Sequence, residues 1–150
     1  MFSPEKQTFI ILKILITGAD GMLGANIVRD ALSRGHQVRV FQLPSSSSTV
    51  LEGLPVEYFK GNLLEASEVE EAVAGCEYVI HAAASTSVWP SRFKPTVDVN
   101  VRGTQHIIDA CLKHNIKRLV YISSAASFAA GTLEKPGDET GAFDGHRYGL

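Results

Sequence analysis

The sequence predicts an α/β fold in which a doubly wound, parallel β-sheet is covered by helices on both faces. Apolar, β-branched runs alternate along the chain with segments of helical periodicity. The apolar runs are also nearly continuous in Val and Ile, which is typical of strands buried on both faces. Because right-handed crossovers leave few topologies for such a pattern, we expect a single sheet of parallel strands. A length of 150 residues, 45% of them hydrophobic, suits one such domain.

The elements follow one another in a regular order. The predicted strands are Ile10–Thr17, Val38–Leu43, Val56–Phe59, Tyr78–Ala82 and Arg118–Ser123. The predicted helices are Met22–Ser33, Ala66–Ala74 and Thr96–His114. Gly35, Gly75 and His114-Asn115 mark the helix ends. Within the helices, Ile27 and Ala31, and then Val101, Ile108 and Leu112, have the spacing of a buried apolar face.

Composition excludes several classes of partner. A formal charge of -2, with both signs mixed along the chain, gives no electrostatic reason to expect nucleic acid or an anionic membrane. The apolar run from Phe9 to Thr17 is too short to span a bilayer, and the first six residues do not form a secretory signal. We therefore expect a cytoplasmic protein. Cys76 and Cys111 fit neither a disulfide framework nor a metal site, so we expect two small buried side chains and no bound metal.

A glycine-rich loop follows the first predicted strand and leads into the first predicted helix. It reads Gly18-Ala19-Asp20-Gly21-Met22-Leu23-Gly24. Glycines at this junction permit a tight turn, a close approach of the backbone to a pyrophosphate, and close packing of the helix on the strand. Because Asp20 stands where G-x-G-x-x-G has its second glycine, the context must support the match, and a turn with no ligand is the alternative. The loop predicts a Rossmann fold that binds NAD or NADP.

Six segments in order resemble the extended short-chain dehydrogenase/reductase family. They are Thr17-Gly18-Ala19-x-Gly21-x-x-Gly24, Gly61-Asn62-Leu63, His81-Ala82-Ala83-Ala84, Val99-Asn100-Val101-x-Gly103-Thr104, Tyr121-Ile122-Ser123-Ser124-Ala125 and Pro136-x-Asp138-Glu139. Within that family the chain is similar to the NAD-dependent epimerase/dehydratase group and its dihydroflavonol-reductase-like branch. The resemblance covers Lys13 to Glu139.

The resemblance implies roles for particular residues. Ser124 matches the Ser that hydrogen-bonds the reacting carbonyl or hydroxyl group, and Asn100 matches an Asn that orders the active site. Tyr148 follows Ser124 at close to the separation of the family's catalytic Tyr, but the Lys expected four residues later would fall at position 152. The cofactor-binding residues implied by position are Gly18, Asp20, Gly21, Met22, Leu23, Gly24, Gln42, Asn62, Leu63, Ala82, Ala83, Ala84 and Ser123. His81 opens the segment that lines the cofactor, and we expect it to serve packing.

The choice between NAD and NADP depends on the end of the second strand. An acidic residue there accepts from the ribose 2′-hydroxyl of NAD, whereas a nearby Arg pairs with the 2′-phosphate of NADP. Gln42 occupies the acidic position and Leu43 the position of the Arg. Arg39 could reach a phosphate only if the strand register were shifted. The sequence leaves the preference open.

These observations lead to two functional hypotheses. The first is an NAD(P)-dependent oxidoreductase or epimerase that acts on the carbonyl or hydroxyl group of a small molecule, in a possible homodimer. The alternative is a non-catalytic dinucleotide-binding redox sensor, motivated by the missing Lys and the neutral Gln42. The sequence ends soon after the fifth strand, although doubly wound sheets have six strands or more. We therefore expect residues 1–150 to be the amino-terminal, cofactor-binding part of an enzyme, inactive without a substrate-binding region.

Overall fold

One parallel sheet organises the chain. The computed structural model describes residues 10–46, 49–87, 93–129 and 131–143. The strands are β1 (Lys13–Thr17), β2 (Gln37–Gln42), β3 (Glu57–Lys60), β4 (Tyr78–His81) and β5 (Arg118–Tyr121). They are hydrogen-bonded in the order β3-β2-β1-β4-β5, and every pair is parallel. The predicted doubly wound Rossmann sheet is confirmed.

The helices connect the strands over both faces of the sheet. They are α1 (Met22–Ser33), α2 (Ala66–Val73), α3 (Lys94–Val97) and α4 (Thr104–Lys113). The bounds of α1 agree with the prediction. The single α-helix predicted over Thr96–His114 is wrong in its start and its regularity, because a π-helical turn, Asp98–Gly103, joins α3 to α4. Gly35, Gly75 and Asn115 all adopt positive φ directly after helices, as the predicted helix ends require.

The core has two layers because successive residues of a strand point to opposite faces. Ile14 and Ile16 of β1 pack with Val28 of α1 on one face. Leu15 packs on the other face with Val69 of α2 and Ile107 of α4. Both faces of the central strand are therefore buried, which explains why its sequence lacks alternating polar residues.

The buried face of α4 differs from the predicted one. Val101, Ile108 and Leu112 are exposed, with Leu112 73% exposed, whereas Ile107 and Cys111 are buried. The pairs Ile107–Cys111 and Ile108–Leu112 have the same four-residue spacing, one position apart, so helical periodicity alone does not select between them. Outward from the core, α4 presents a row of apolar side chains.

Both cysteines lie in the core, as expected. Cys76 and Cys111 are each 8% exposed and belong to the layer that contains α2 and α4. Burial raises the pKa of Cys76, and burial together with the neighbouring Cys76 raises the pKa of Cys111 to about 11. Both therefore remain thiols at neutral pH.

Candidate functional site

The strand order creates a crevice at the carboxyl edge of the sheet. From β1 the chain crosses to β2 and β3 on one side, then returns to β4 on the other side of β1. The segments that follow β1 and β4 therefore diverge to opposite faces of the sheet. In open α/β sheets, ligands bind at this switch point.

The glycine loop fills the β1 side of the crevice with closely packed backbone. Gly18 has a φ of +66°, and a Cβ there would lie 2.6 Å from the Ala83 nitrogen. A Cβ at Gly24 would overlap the Gly18 carbonyl oxygen. The Gly21 N–H donates to that same oxygen at 3.1 Å, which closes the turn. No larger side chain fits at Gly18 or Gly24, so the loop lies directly against the segment that follows β4.

The amino terminus of α1 is left without a side-chain cap. Gly21 is the capping residue, no side chain hydrogen-bonds there, and the first turn contains no acidic residue. Met22 and Leu23 are exposed at this end. The first-turn N–H groups and the positive end of the helix dipole are thus available to an anion.

A cleft with a volume of about 660 Å³ opens above the carboxyl ends of the strands. This carboxyl-edge cleft is lined by twelve of the thirteen predicted cofactor residues: Gly18, Asp20, Gly21, Met22, Leu23, Gly24, Gln42, Asn62, Leu63, Ala82, Ala83 and Ala84. Four separate loops contribute them. The sequence motifs therefore meet at one place in the fold.

The remaining predicted residues lie outside that lining. Ser123 and Ser124 follow β5, where both are exposed, and the Ser123 hydroxyl is 3.3 Å from that of Ser127. Asn100 lies in the π-helical turn and is hydrogen-bonded to Ser85, which lines the cleft. Tyr148 lies outside the described residues.

Six further residues line the cleft that were not among the predicted cofactor residues. They are Phe41, Leu43, Gly61, Ser85, Thr86 and Val99. Five of them directly adjoin a predicted cofactor residue or continue its segment. Val99, beside Asn100, comes from the π-helical turn. Gly61 and Val99 already belong to the motif segments, and the other four directly continue the segments of predicted cofactor residues.

A buried hydrogen-bond chain through His81 supports the floor of the cleft. The Ala83 N–H donates to the Thr17 hydroxyl at 3.2 Å, which lies 2.6 Å from Nδ1 of His81. On the other side of the ring, Nε2 lies 3.0 Å from the Thr104 hydroxyl, which donates to the Asn100 carbonyl at 2.8 Å. The hydroxyl directions require Nδ1 to accept and Nε2 to donate.

His81 is suited to this role because it is uncharged. The ring is 1% exposed and stacks on Tyr121, and burial lowers the pKa of His81 to about 4. A neutral imidazole can accept at one nitrogen and donate at the other, whereas an imidazolium could only donate. The packing role expected for His81 thus includes holding β1, β4 and the π-helical turn together.

Asn100 holds the segment after β4 through two reciprocal hydrogen bonds. Its Oδ1 accepts from the Ser85 N–H at 2.7 Å, and its Nδ2 donates to the Ser85 carbonyl at 2.9 Å. The Thr96 hydroxyl lies 3.0 Å from the Ser85 hydroxyl. Ser85 lines the carboxyl-edge cleft, so Asn100 positions one of its walls. Irregular π-helical turns of this kind are frequent at functional sites.

Asn62 is held in a local turn at the end of β3. Its Oδ1 accepts from the Leu64 N–H at 3.0 Å, while its own backbone N–H donates to Glu68 Oε2 at 2.7 Å. The amide oxygen is thus already used, although the residue lines the cleft. This turn orients the loop between β3 and α2.

At the end of β2 a lysine joins the predicted residues. Lys60 Nζ donates to Gln42 Oε1 at 3.1 Å and to the Ser46 carbonyl at 2.9 Å. The Ser46 hydroxyl donates to Asp20 Oδ2 at 2.6 Å. Gln42, Lys60, Ser46 and Asp20 thus form a continuous polar cluster, which we call the β2 corner.

Arg39 does not belong to the β2 corner. Its guanidinium forms an ion pair with Glu57 at 2.8 Å and donates to the carbonyl groups of Ala72 and Ala74. The register pairs Arg39 with Glu57, three residues before Lys60. Because the register is not shifted, a phosphate contact by Arg39 is excluded.

Neither a membrane-spanning helix nor a metal cluster occurs within the described residues. Within them, no helix has the length and apolar character needed to cross a bilayer. The same residues contain no group of three or more His, Cys, Asp and Glu side chains arranged to hold a metal ion.

Comparison with known proteins identifies the family. Residues 14–147 match the model of the NAD dependent epimerase/dehydratase family. The chain belongs to this family. The match spans all five strands and the glycine loop, so the whole described cleft lies within it.

Relatives within the epimerase/dehydratase family include reductases and dehydrogenases. The chain is 34% identical over 125 residues to a Synechocystis protein assigned as a dihydroflavonol 4-reductase, covering 83% of this chain and 36% of that protein. It is 41% identical over 120 residues to rat 3 beta-hydroxysteroid dehydrogenase type 7, covering 75% of this chain and 36% of the relative. The chain thus spans about a third of the length of these curated relatives.

Solved structures of the epimerase/dehydratase family have the same fold. The Thermus thermophilus UDP-glucose 4-epimerase, determined as a complex with NAD, superimposes with a TM-score of 0.79 at 26% identity. The match covers 93% of this chain and 52% of the epimerase. The family therefore uses NAD(P), and the resemblance drawn from the six sequence segments is confirmed.

Proposed function

We propose that the protein is an NAD(P)-dependent oxidoreductase or epimerase that acts on a carbonyl or hydroxyl group of a small molecule. Dihydroflavonol-like and nucleotide-sugar-like compounds are the substrate classes. The observation that carries the proposal is the carboxyl-edge cleft, where an uncapped helix terminus and a tightly packed glycine loop meet four motif-bearing loops. The relatives give no support to the alternative of a non-catalytic sensor.

The residues present fit a bound dinucleotide. The glycine loop offers backbone N–H groups to a pyrophosphate at the uncapped start of α1, where the capping residue Gly21 has no side chain. A Cβ at Gly21 would meet only the Gly18 carbonyl oxygen within 4 Å, which leaves its outer side open to the cleft. Ala82, Ala83 and Ala84 give the opposite wall small side chains, as a flat aromatic ring requires.

The chain's own residues would bind and orient the reactants. When bound, the nicotinamide cofactor supplies the hydride acceptor or donor. Ser124, at the carboxyl end of β5, would donate a hydrogen bond from its hydroxyl to the reacting carbonyl oxygen. Tyr148 is the candidate for proton transfer to that oxygen. Asn100 would hold the Ser85 wall in place while these contacts form.

Substitution of Ser124 tests the proposed chemistry. We expect Ser124→Ala in the complete gene product to lower kcat on the order of a hundredfold while cofactor affinity is preserved, because a general acid–base or oxyanion contact is lost. The assay would follow cofactor oxidation with dihydroflavonols, 3-ketosteroids and nucleotide sugars. Ser33→Ala is the control, since the Ser33 hydroxyl donates only to the Asp30 carbonyl on α1. Unchanged turnover of Ser124→Ala would rule out the assigned role.

The proposal extends to the setting of the enzyme. We place it in the cytoplasm as a homodimer. The exposed apolar side chains of Val101, in the π-helical turn, and of Ile108 and Leu112, on α4, support association. Residues 1–150 would form the cofactor-binding domain. By themselves they would bind cofactor weakly and not turn over substrate, so carbonyl reduction by the isolated chain would contradict this assignment.

A further inference from the structure

The β2 corner carries a cation where the cofactor's adenosine ribose would lie. Lys60 ends β3 and is paired in register with Gln42, the last residue of β2. Its ammonium group is exposed and donates to the Gln42 amide oxygen and to the Ser46 carbonyl. Among the described residues no carboxylate forms an ion pair with it, so its charge is available to a ligand.

The contact with Lys60 changes what Gln42 can offer. A residue at the end of β2 selects NAD by accepting a hydrogen bond from the ribose 2′-hydroxyl. The Gln42 oxygen is occupied by Lys60, and its buried amide nitrogen has no hydrogen-bond partner. Gln42 is 3% exposed and lines the carboxyl-edge cleft. Because its oxygen is held by an ammonium group and its side chain carries no charge, Gln42 is not the anionic acceptor that selects an NAD ribose, and a phosphate beside it would meet no like charge.

Asp20 is the one acidic group of the β2 corner. Its carboxylate accepts from the Ser46 hydroxyl at 2.6 Å, so Ser46 separates it from the Lys60 ammonium. The corner thus contains one carboxylate held by a hydroxyl, and one ammonium group with no acidic partner among the residues described. A 2′-phosphate would carry nearly two negative charges to this point, and an ammonium group binds such a charge strongly.

We infer that the enzyme prefers NADP(H) to NAD(H), and that Lys60 is the residue that selects the 2′-phosphate. Gln42 would assist by holding the Lys60 ammonium group in place through its amide oxygen. This inference rests on the proposed function, because it concerns the cofactor of the same cleft.

Calorimetric titration of the complete gene product with NADPH and with NADH tests the inference. We expect NADPH to bind at least about tenfold more tightly than NADH, and Lys60→Ala to weaken NADPH on the order of tenfold with NADH unchanged. Lys60→Arg should retain most of the preference, since it keeps the charge. Lys117→Ala removes the same charge beside Glu77 at the opposite edge of the sheet, and should leave both affinities as in the wild type.

Each other outcome overturns a defined part of the inference. Equal or tighter binding of NADH by the wild type would refute the preference while leaving the proposed function intact. An NADPH preference that persists in Lys60→Ala, or an equal loss for both cofactors, would refute the role of Lys60. Failure of the wild type to bind either dinucleotide would refute both this inference and the proposed function.

Discussion

Strand β1 is buried from Ile14 to Thr17 at the centre of the sheet, whereas β5 leaves Val120 42% and Tyr121 52% exposed at its edge. The glycine loop that follows β1 is held by backbone contacts that exclude even a methyl group. Ser123 and Ser124, which follow β5, are exposed ahead of a short helical turn, Ala125–Ser127. The same sheet therefore has a closely packed region around β1, which carries the proposed cofactor site and is called the cofactor end. It also has an exposed region after β5, which carries the proposed catalytic Ser124 and is called the catalytic end.

The two regions also differ in the kind of group on which each proposed function would depend. At the cofactor end, the proposed binding would depend on backbone shape, which both core layers support. At the catalytic end, the proposed chemistry would depend on individual side chains that follow a lightly packed strand. Substitutions at the first end should change stability and binding together, whereas those at the second should change turnover alone.

The largest expected loss of cofactor affinity and stability comes from Gly18→Ala. Both Gly18 and Gly53 have positive φ, but a Cβ at Gly18 would lie 2.7 Å from the Ala82 carbonyl carbon, while a Cβ at Gly53 would meet nothing within 4 Å. We expect Gly18→Ala to lose cofactor affinity more than about a hundredfold and stability by more than about 3 kcal/mol. Gly53→Ala should cost only about 1 kcal/mol of backbone strain. If the two variants had similar effects on cofactor affinity, measured by calorimetry, and on stability, measured by denaturant unfolding, the close backbone contact at Gly18 would be contradicted.

Protonation of His81 should loosen the same end. Its pKa is lowered to about 4 in the folded state, so the unfolded state binds more protons below pH about 6.5. Its contribution to stability is therefore complete above about pH 6.5 and is lost as the pH falls toward 4, by about 3 kcal/mol. Chemical denaturation across this range should show a steeper loss for the wild type than for His81→Gln. Parallel curves would show that His81 is not buried as a neutral ring.

A pair of valine substitutions compares the two strands directly. Val79 of β4 is fully buried, whereas Val120 of the neighbouring β5 is 42% exposed. We expect Val79→Ala to lower the free energy of unfolding by about 2 kcal/mol and Val120→Ala by less than about 1 kcal/mol. Denaturant titration of both variants measures this. Equal losses would mean that β5 is as tightly packed as the centre of the sheet.

The smallest expected effect comes from the wall between the two ends. Asn100→Asp replaces the amide that donates to the Ser85 carbonyl with an acceptor, so the two oxygens should repel each other. We expect cofactor affinity to fall about tenfold, equivalent to about 1.4 kcal/mol, with little loss of stability. Gln105→Glu makes the same chemical change on the exposed face of α4, beside Asp109, and serves as control. Unaltered affinity in Asn100→Asp would refute the positioning role.

The cofactor end was largely predictable from the sequence because its determinants are local. The bounds of α1, the parallel pairing of the strands and the meeting of the motif segments follow from glycine spacing, apolar runs and the handedness of crossovers. Those rules act on neighbouring residues or on whole elements. Neither kind of rule requires knowledge of side-chain contacts between distant parts of the chain.

Features that depend on long-range contacts were not predictable. Lys60 lies 18 residues from Gln42, and only the strand register brings the two side chains together. The π-helical turn interrupts a segment whose apolar spacing reads as one continuous α-helix. The buried side of α4 depends on packing against α2, which helical periodicity does not specify. The chemistry of Ser124 and Tyr148 remains a prediction from the family resemblance.

The two buried thiols have a practical consequence for spectroscopy. Cys76 and Cys111 are the only cysteines of the chain, and burial keeps both protonated and shielded from reagents. A cysteine introduced at an exposed position such as Met22 would therefore react first with a maleimide dye. A fluorophore attached there would stand at the mouth of the carboxyl-edge cleft and report cofactor entry in real time, with both native cysteines left in place.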